Sequence, residues 1–187
     1  MSRNNHTKAL ARLKITAIIS IMVALSIVFG KFLSIKVGDV LRFSFENLPI
    51  IFAGVAFGPV AGILTGVVAD ILGCVLYGYA INPIVTVGAA VIGLFSGLSG
   101  IILKKRGLTV KTLTAVLSSH IFGSVIVKTF GLAKYYDMPF FELMLWRLGN
   151  YAVIGLLEFI LLRLLLGNSA ISRQIESMVK SSRGDRK

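Results

Sequence analysis

Asp70 is the single acid of the apolar run Val60 to Tyr77. A carboxylate placed there is costly in hydrocarbon, so it must face a partner or a water-filled cavity and marks function by default. Other polar residues fall where they could join it. Arg147 and Asn150 stand three residues apart and share a helical face. Arg42 and Glu46 precede the second apolar run, Asn82 opens the fourth, and Lys128 interrupts the fifth. Phe43, Phe45, Tyr77, Tyr79 and Trp146 are close to them in sequence. An ionised Asp accepts two parallel N–H bonds from an amino-pyrimidine edge, and a guanidinium fork grips a carboxylate. Aromatic faces hold a flat ring at little entropic cost. The set therefore reads as a cavity for a ligand that is flat and aromatic at one end and anionic at the other.

Blander readings stand beside this one. Hydroxyls of a neighbouring helix, or Lys128, could satisfy Asp70. Arg42, Lys36 and Lys134 could be solvated interface residues, and Arg147 with Trp146 an interfacial anchor pair. Asn82-Pro83 is a helix-start signal whatever else it does. Glu158 and Arg163, further along the sixth run, could pair or snorkel.

Catalytic and cofactor chemistry has little support. No P-loop string occurs, and no H-E-x-x-H. His6 and His120 are too isolated for a metal cluster, and no cofactor is expected. Gly97-Leu98-Ser99-Gly100, with His120 downstream, is a string of the kind intramembrane serine proteases use. Gly and Ser are also ordinary packing residues in membrane helices, and packing is the better account of Ser99. Cys74 is the only cysteine and excludes an internal disulfide.

The elements that must position these residues follow from hydropathy. The chain has 187 residues, of which 56% are hydrophobic. Its mean hydropathy is +0.86. The apolar runs are long, nearly free of charge, and separated by short polar or Pro/Gly breaks, which indicates an all-α integral membrane protein with a single membrane domain. Six transmembrane helices are expected, over about 15–32, 46–57, 60–77, 83–103, 112–133 and 143–166. Residues 1–14 form a basic leading segment, 33–45 a loop or short ribbon, and 167–187 a basic polar tail. The second helix is short for a span. Gly54, Gly58, Gly62 and Gly66 recur every four residues, making a smooth stripe for close helix packing.

The net charge is +12, but topology explains it better than nucleic acid does. Basic residues concentrate in 1–14, in Lys104 to Lys111 and in the tail, which places both termini in the cytoplasm. Asp70, Arg147, Asn150, Arg42, Asn82 and Lys128 then lie in the outer half of the bundle.

Three strings carry a family resemblance: the L-P-x-x-x-A-G-x-x-F-G-P break from Leu48 to Pro59, the G-x-x-x-G-x-x-x-D-x-x-G series from Gly62 to Gly73, and Arg147 at the outer start of helix six. From about Leu10 to Leu166 the chain resembles the substrate-binding S components of energy-coupling factor vitamin transporters, most of all the folate branch. The resemblance implies a cell-membrane protein that takes folate from outside and works with a transmembrane coupling protein and two cytoplasmic ATPases. It also implies that the loop after helix one caps the site. Small residues on helices one and three, here Ala17, Ser20, Ala24, Gly62 and Gly66, would dock on the coupling protein. Asp70 would take the pterin edge, Tyr77 and Trp146 would lie against the rings, and Arg147, Lys128 or Arg42 would take the glutamate carboxylates. A different anionic vitamin such as pantothenate would keep the fold and change the lining.

Overall fold

The computed structural model describes residues 3–37 and 41–183. Helix α1 (Arg3–Lys31) leads into a two-stranded antiparallel ribbon, β1 (Ile35–Val37) and β2 (Leu41–Phe43), in which Lys36 pairs with Arg42. Helices α2 (Asn47–Phe57), α3 (Pro59–Tyr77) and α4 (Pro83–Ile102) follow. The continuous helical stretch Leu108–Tyr136 is α5, Phe140–Gly167 is α6 and Ser169–Arg183 is α7.

Five of these helices, α1, α3, α4, α5 and α6, are long and apolar enough to cross a membrane. Helix α2 is apolar but has 11 residues, about 16 Å at 1.5 Å per residue and well short of a 30 Å hydrocarbon core. It is also the most enclosed element. Asn47 through Val55 are all buried, and Leu48, Ile50, Ile51, Phe52 and Val55 join Ile92, Val116 and Leu162 in the core. The long helices show the complementary pattern, with Leu64, Val68, Leu72 and Val75 on α3 exposed toward lipid.

Local chemistry sets the ends of these helices. Gly58 joins α2 to α3 at φ 98°, a conformation costly to any residue with a Cβ, and Pro59 then starts α3 with its missing N–H in a position that needs none. Gly78 closes α3 in the left-handed region, and Asn82 caps α4 by accepting from the N–H groups of Ile84 and Val85.

The glycine stripe is used inside the molecule. A Cβ on Gly62 would overlap the Gly93 carbonyl, and one on Gly66 would overlap that of Ala89. Helices α3 and α4 therefore meet backbone to backbone. This corrects the expectation that Gly62 and Gly66 form a docking face, because α4 already covers them. Ala17, Ser20 and Ala24 of α1 are exposed.

Three features depart from the sequence reading. Helix α1 begins at Arg3 and not near residue 15, so the basic leading segment is part of the first helix. The middle of α5, Ser119–Lys128, is π-helical, and its wider turn places Ser119, His120, Ser124 and Lys128 all within the bundle. The basic tail is helical up to Arg183. Ile171 and Ile175 of α7 pack on the core, while Arg173, Lys180 and Arg183 are exposed. Glu176 on the exposed side lies 2.7 Å from Lys180, whose ammonium holds that carboxyl below its ordinary value.

Candidate functional site

A cavity of about 480 Å³ lies at the end of the bundle opposite the termini, among α1, α3, α4, α5, α6 and the residues leading into α2. Among the described residues its charged lining comprises two acids, Asp70 and Glu46, and three cations, Lys31, Lys128 and Arg147. Tyr79, Tyr135, Tyr136 and Tyr151 supply aromatic surface.

Asp70 reaches the cavity from the middle of α3. Thr86, one turn into α4, donates its hydroxyl to Asp70 Oδ2 at 2.6 Å. That bond uses one acceptor position of a group with about four. The carboxylate is thus aimed by α4 while keeping capacity toward the cavity. The hydroxyl partner anticipated for Asp70 exists, and it does not close the site. Lys128 is held elsewhere.

Lys128 is 5% exposed and projects from the π-helical turn. Its Nζ lies 3.3 Å from Glu46 Oε1 and 3.5 Å from Asn47 Oδ1. Arg147 is 6% exposed and anchored three ways: Nε donates to Thr129 Oγ1 at 2.9 Å, and Nη2 donates to the Ser124 carbonyl and to Tyr151 Oη, each at 3.3 Å. Its guanidinium also lies 5.2 Å from the Tyr151 ring centre. Lys31, on the opposite wall, sits 4.2 Å from the Tyr79 ring centre and 5.1 Å from that of Tyr77.

Four of the expected residues, Asp70, Asn82, Lys128 and Arg147, line one cavity. Asn82 does so while capping α4 and donating from Nδ2 to the Gly131 carbonyl at 3.0 Å. Tyr77 lies one layer back, stacked on Tyr79 at 6.4 Å and edge-on to Phe32 at 5.8 Å. Its buried hydroxyl has no hydrogen-bond partner among the described residues. Asn150 is buried on the Arg147 face of α6 but is not a wall residue. Arg42 lies in β2, and its side chain falls outside the described residues.

Trp146 is a correction. It is 64% exposed and absent from the cavity wall. Neighbours on a helix diverge by about 100°, so the rotation that brings Arg147 inward turns Trp146 outward. Tyr151, one turn after Arg147, supplies the aromatic surface instead. The i, i+4 spacing from Arg147 could have identified it. Lys31, Thr86, Tyr135 and Tyr136 were also missed; Thr86 lies four residues after Asn82 on the same face of α4.

The protease reading of Ser99 fails on geometry. Ser99 Oγ meets Ser118 Oγ at 3.3 Å, while the two ring nitrogens of His120 are engaged by Ser124 and Glu158. Among the described residues Ser99 thus has no base within reach.

The comparisons with known proteins agree with this architecture. The sequence model of the ECF transporter substrate-specific component matches residues 14–168. The chain belongs to that family, whose members are substrate-binding membrane components and not enzymes. It is similar to the folate transporter FolT of Clostridium novyi (strain NT), at 29% identity over 104 residues. That match spans 52% of this chain and 59% of the relative. Two solved structures share the fold. One is FolT bound with folic acid, at TM-score 0.67 and 24% identity, covering 82% of this chain and 92% of that one. The other is the S-component for biotin from an ECF-type ABC transporter, at TM-score 0.63 and 18% identity, covering 94% and 99%. Because the two bind different vitamins, the fold does not select the ligand.

Proposed function

We propose that this chain is the folate-capturing subunit of an energy-coupling factor importer. The observation that carries the reading is the convergence of Asp70 with Lys31, Lys128 and Arg147 in one tyrosine-lined cavity. Asp70 accepts the amino-pyrimidine edge of the pterin, the tyrosines flank its rings, and the cations receive the glutamate carboxylates. The similarity to a folate transporter and to a folic acid complex supports the same ligand.

In this reading α1 to α6 make six crossings, with α2 as the short one and both termini in the cytoplasm, so the cavity faces outside. A transmembrane coupling protein engages the exposed small residues Ala17, Ser20 and Ala24 of α1, and two cytoplasmic ATPases drive release. The ribbon after α1 covers the cavity. Purifying the protein from cells and identifying its bound small molecule by mass spectrometry tests the ligand. Folate is the expected species; pantothenate or biotin in its place would overturn the folate assignment and leave the family standing.

A further inference from the structure

Deeper in the bundle than the cavity, on the same two helices that carry Lys128 and Arg147, sits a second polar group. Glu158 is fully buried and His120 nearly so, and His120 Nε2 lies 2.6 Å from Glu158 Oε2. Neither residue lines the cavity. An acid at the centre of a membrane helix is expensive to retain, and mutual satisfaction explains only why the pair is tolerated.

The pair does not end at itself. His120 Nδ1 is 3.2 Å from Ser124 Oγ, which accepts from Asn47 Nδ2 at 3.4 Å, and Asn47 Oδ1 accepts from Lys128 Nζ at 3.5 Å. Only the outer end of this chain has a fixed direction. An ammonium has donors only, so Lys128 must donate to Asn47. Asn47 then presents its NH₂ to Ser124 Oγ, which keeps its own hydrogen available toward Nδ1. A ring proton on Nε2 would face the Glu158 carboxylate and leave Nδ1 to accept from the Ser124 hydroxyl.

Ser124 also reaches the other cation, since its carbonyl accepts from Arg147 Nη2 and from the Thr129 hydroxyl. The Thr129 bond spans five residues, the register of the π-helical turn. The Tyr151 ring, whose hydroxyl accepts from Arg147, stacks on His120 at 4.9 Å. Lys128 thus connects to His120 through Asn47 and the Ser124 hydroxyl, and Arg147 connects to it through the Tyr151 ring.

We propose that His120 and Glu158 are positioning residues for ligand capture. Glu158 holds His120 as its Nε2–H tautomer, Ser124 and Asn47 transmit that setting to Lys128, and the stacked Tyr151 transmits it to Arg147. The affinity part of this proposal rests on the folate reading of the cavity; the tautomer part does not.

The test uses the full chain in detergent with His6→Gln, which leaves His120 as the one histidine. Ring ¹⁵N NMR reads the tautomer and calorimetry reads folic acid affinity, in the parent and in Glu158→Gln and Glu158→Leu. The Gln amide oxygen still accepts from Nε2–H, whereas Leu cannot. The expected result is a single Nε2–H tautomer in the parent and in Glu158→Gln, and a mixture in Glu158→Leu. Folic acid affinity should fall about tenfold in Glu158→Leu, the effect of one lost buried hydrogen bond, and stay within about threefold of the parent in Glu158→Gln. Equal weakening in both variants, no weakening in either, or an Nδ1–H tautomer in the parent would overturn the proposal. Failure of the parent to bind folic acid would overturn the ligand instead, and the tautomers would still decide the role of Glu158.

Discussion

The hydroxyl of Thr86 on α4 lies 2.6 Å from Oδ2 of Asp70 on α3, at the wall of the cavity. The two helices meet so closely through Gly62, Gly66, Ala89 and Gly93 that a side chain of one can orient a charge on the other. Asp70→Asn replaces two acceptors by one and should weaken folic acid at least tenfold, as expected for a charge-assisted pair of about 1.5–3 kcal/mol. Thr86→Val removes only the aiming bond and should cost about 1 kcal/mol, roughly fivefold. Calorimetric titration of both variants checks the order. A Thr86→Val variant weaker than Asp70→Asn would misplace the carboxylate's role.

Arg147 is fixed by hydrogen bonds to Thr129, Ser124 and Tyr151, which suit a planar fork and not an ammonium. Arg147→Lys keeps the charge and should still lower both folic acid affinity and the melting temperature in detergent. If charge alone mattered, Lys would bind as the parent does. The Ser124 carbonyl keeps the Thr129 hydroxyl, and losing the charge-assisted bond from Arg147 should cost about 1.5–3 kcal/mol of stability.

The contact between α3 and α4 has no room for a methyl group at Gly62 or Gly93. Gly62→Ala should destabilise by about 1–3 kcal/mol, the usual effect of forced overpacking. Gly149→Ala on α6 meets nothing within 4 Å and should be neutral or slightly stabilising. Thermal melts of the two variants compare them directly. Equal melting temperatures would contradict the close approach.

If α1 carries the docking surface, Ala17→Leu with Ala24→Leu should leave folic acid binding unchanged. The same variant should abolish co-purification with the coupling protein. Retained assembly would move the interface elsewhere.

The limits around α2, α3 and α4 were readable because they carry a local reason, such as Gly58-Pro59 or the Asn82 cap, whereas the start of α1 at Arg3 carries none. The membrane environment was equally open to reading, since run length and charge placement suffice. What escaped depends on neighbours. The glycine stripe announces a close partner but not which one, and α4 turned out to fill that place. Trp146 and Arg147 are adjacent in sequence and face opposite ways, a distinction that needs the helix rotation. The π-helical turn leaves no mark in hydrophobic spacing, yet it brings His120 and Lys128 inward together. His120 meets Glu158 across 38 positions, so only the folded bundle joins them. Helix α7 was legible and overlooked: Ile171, Ile175, Met178 and Val179 recur at helical spacing within the basic tail.

In the proposed function the cavity holds folate through a carboxylate at one end and cations at the other. Isothermal titration of folic acid into the purified chain, with pantothenate and biotin as competitors, tests it most directly. Calorimetry is the right probe because Trp146 faces away from the cavity. Saturable binding of folic acid, one per chain, undisturbed by either competitor and weakened at least tenfold in Asp70→Asn, is the predicted result. Tight binding of a competitor with none of folic acid would contradict it.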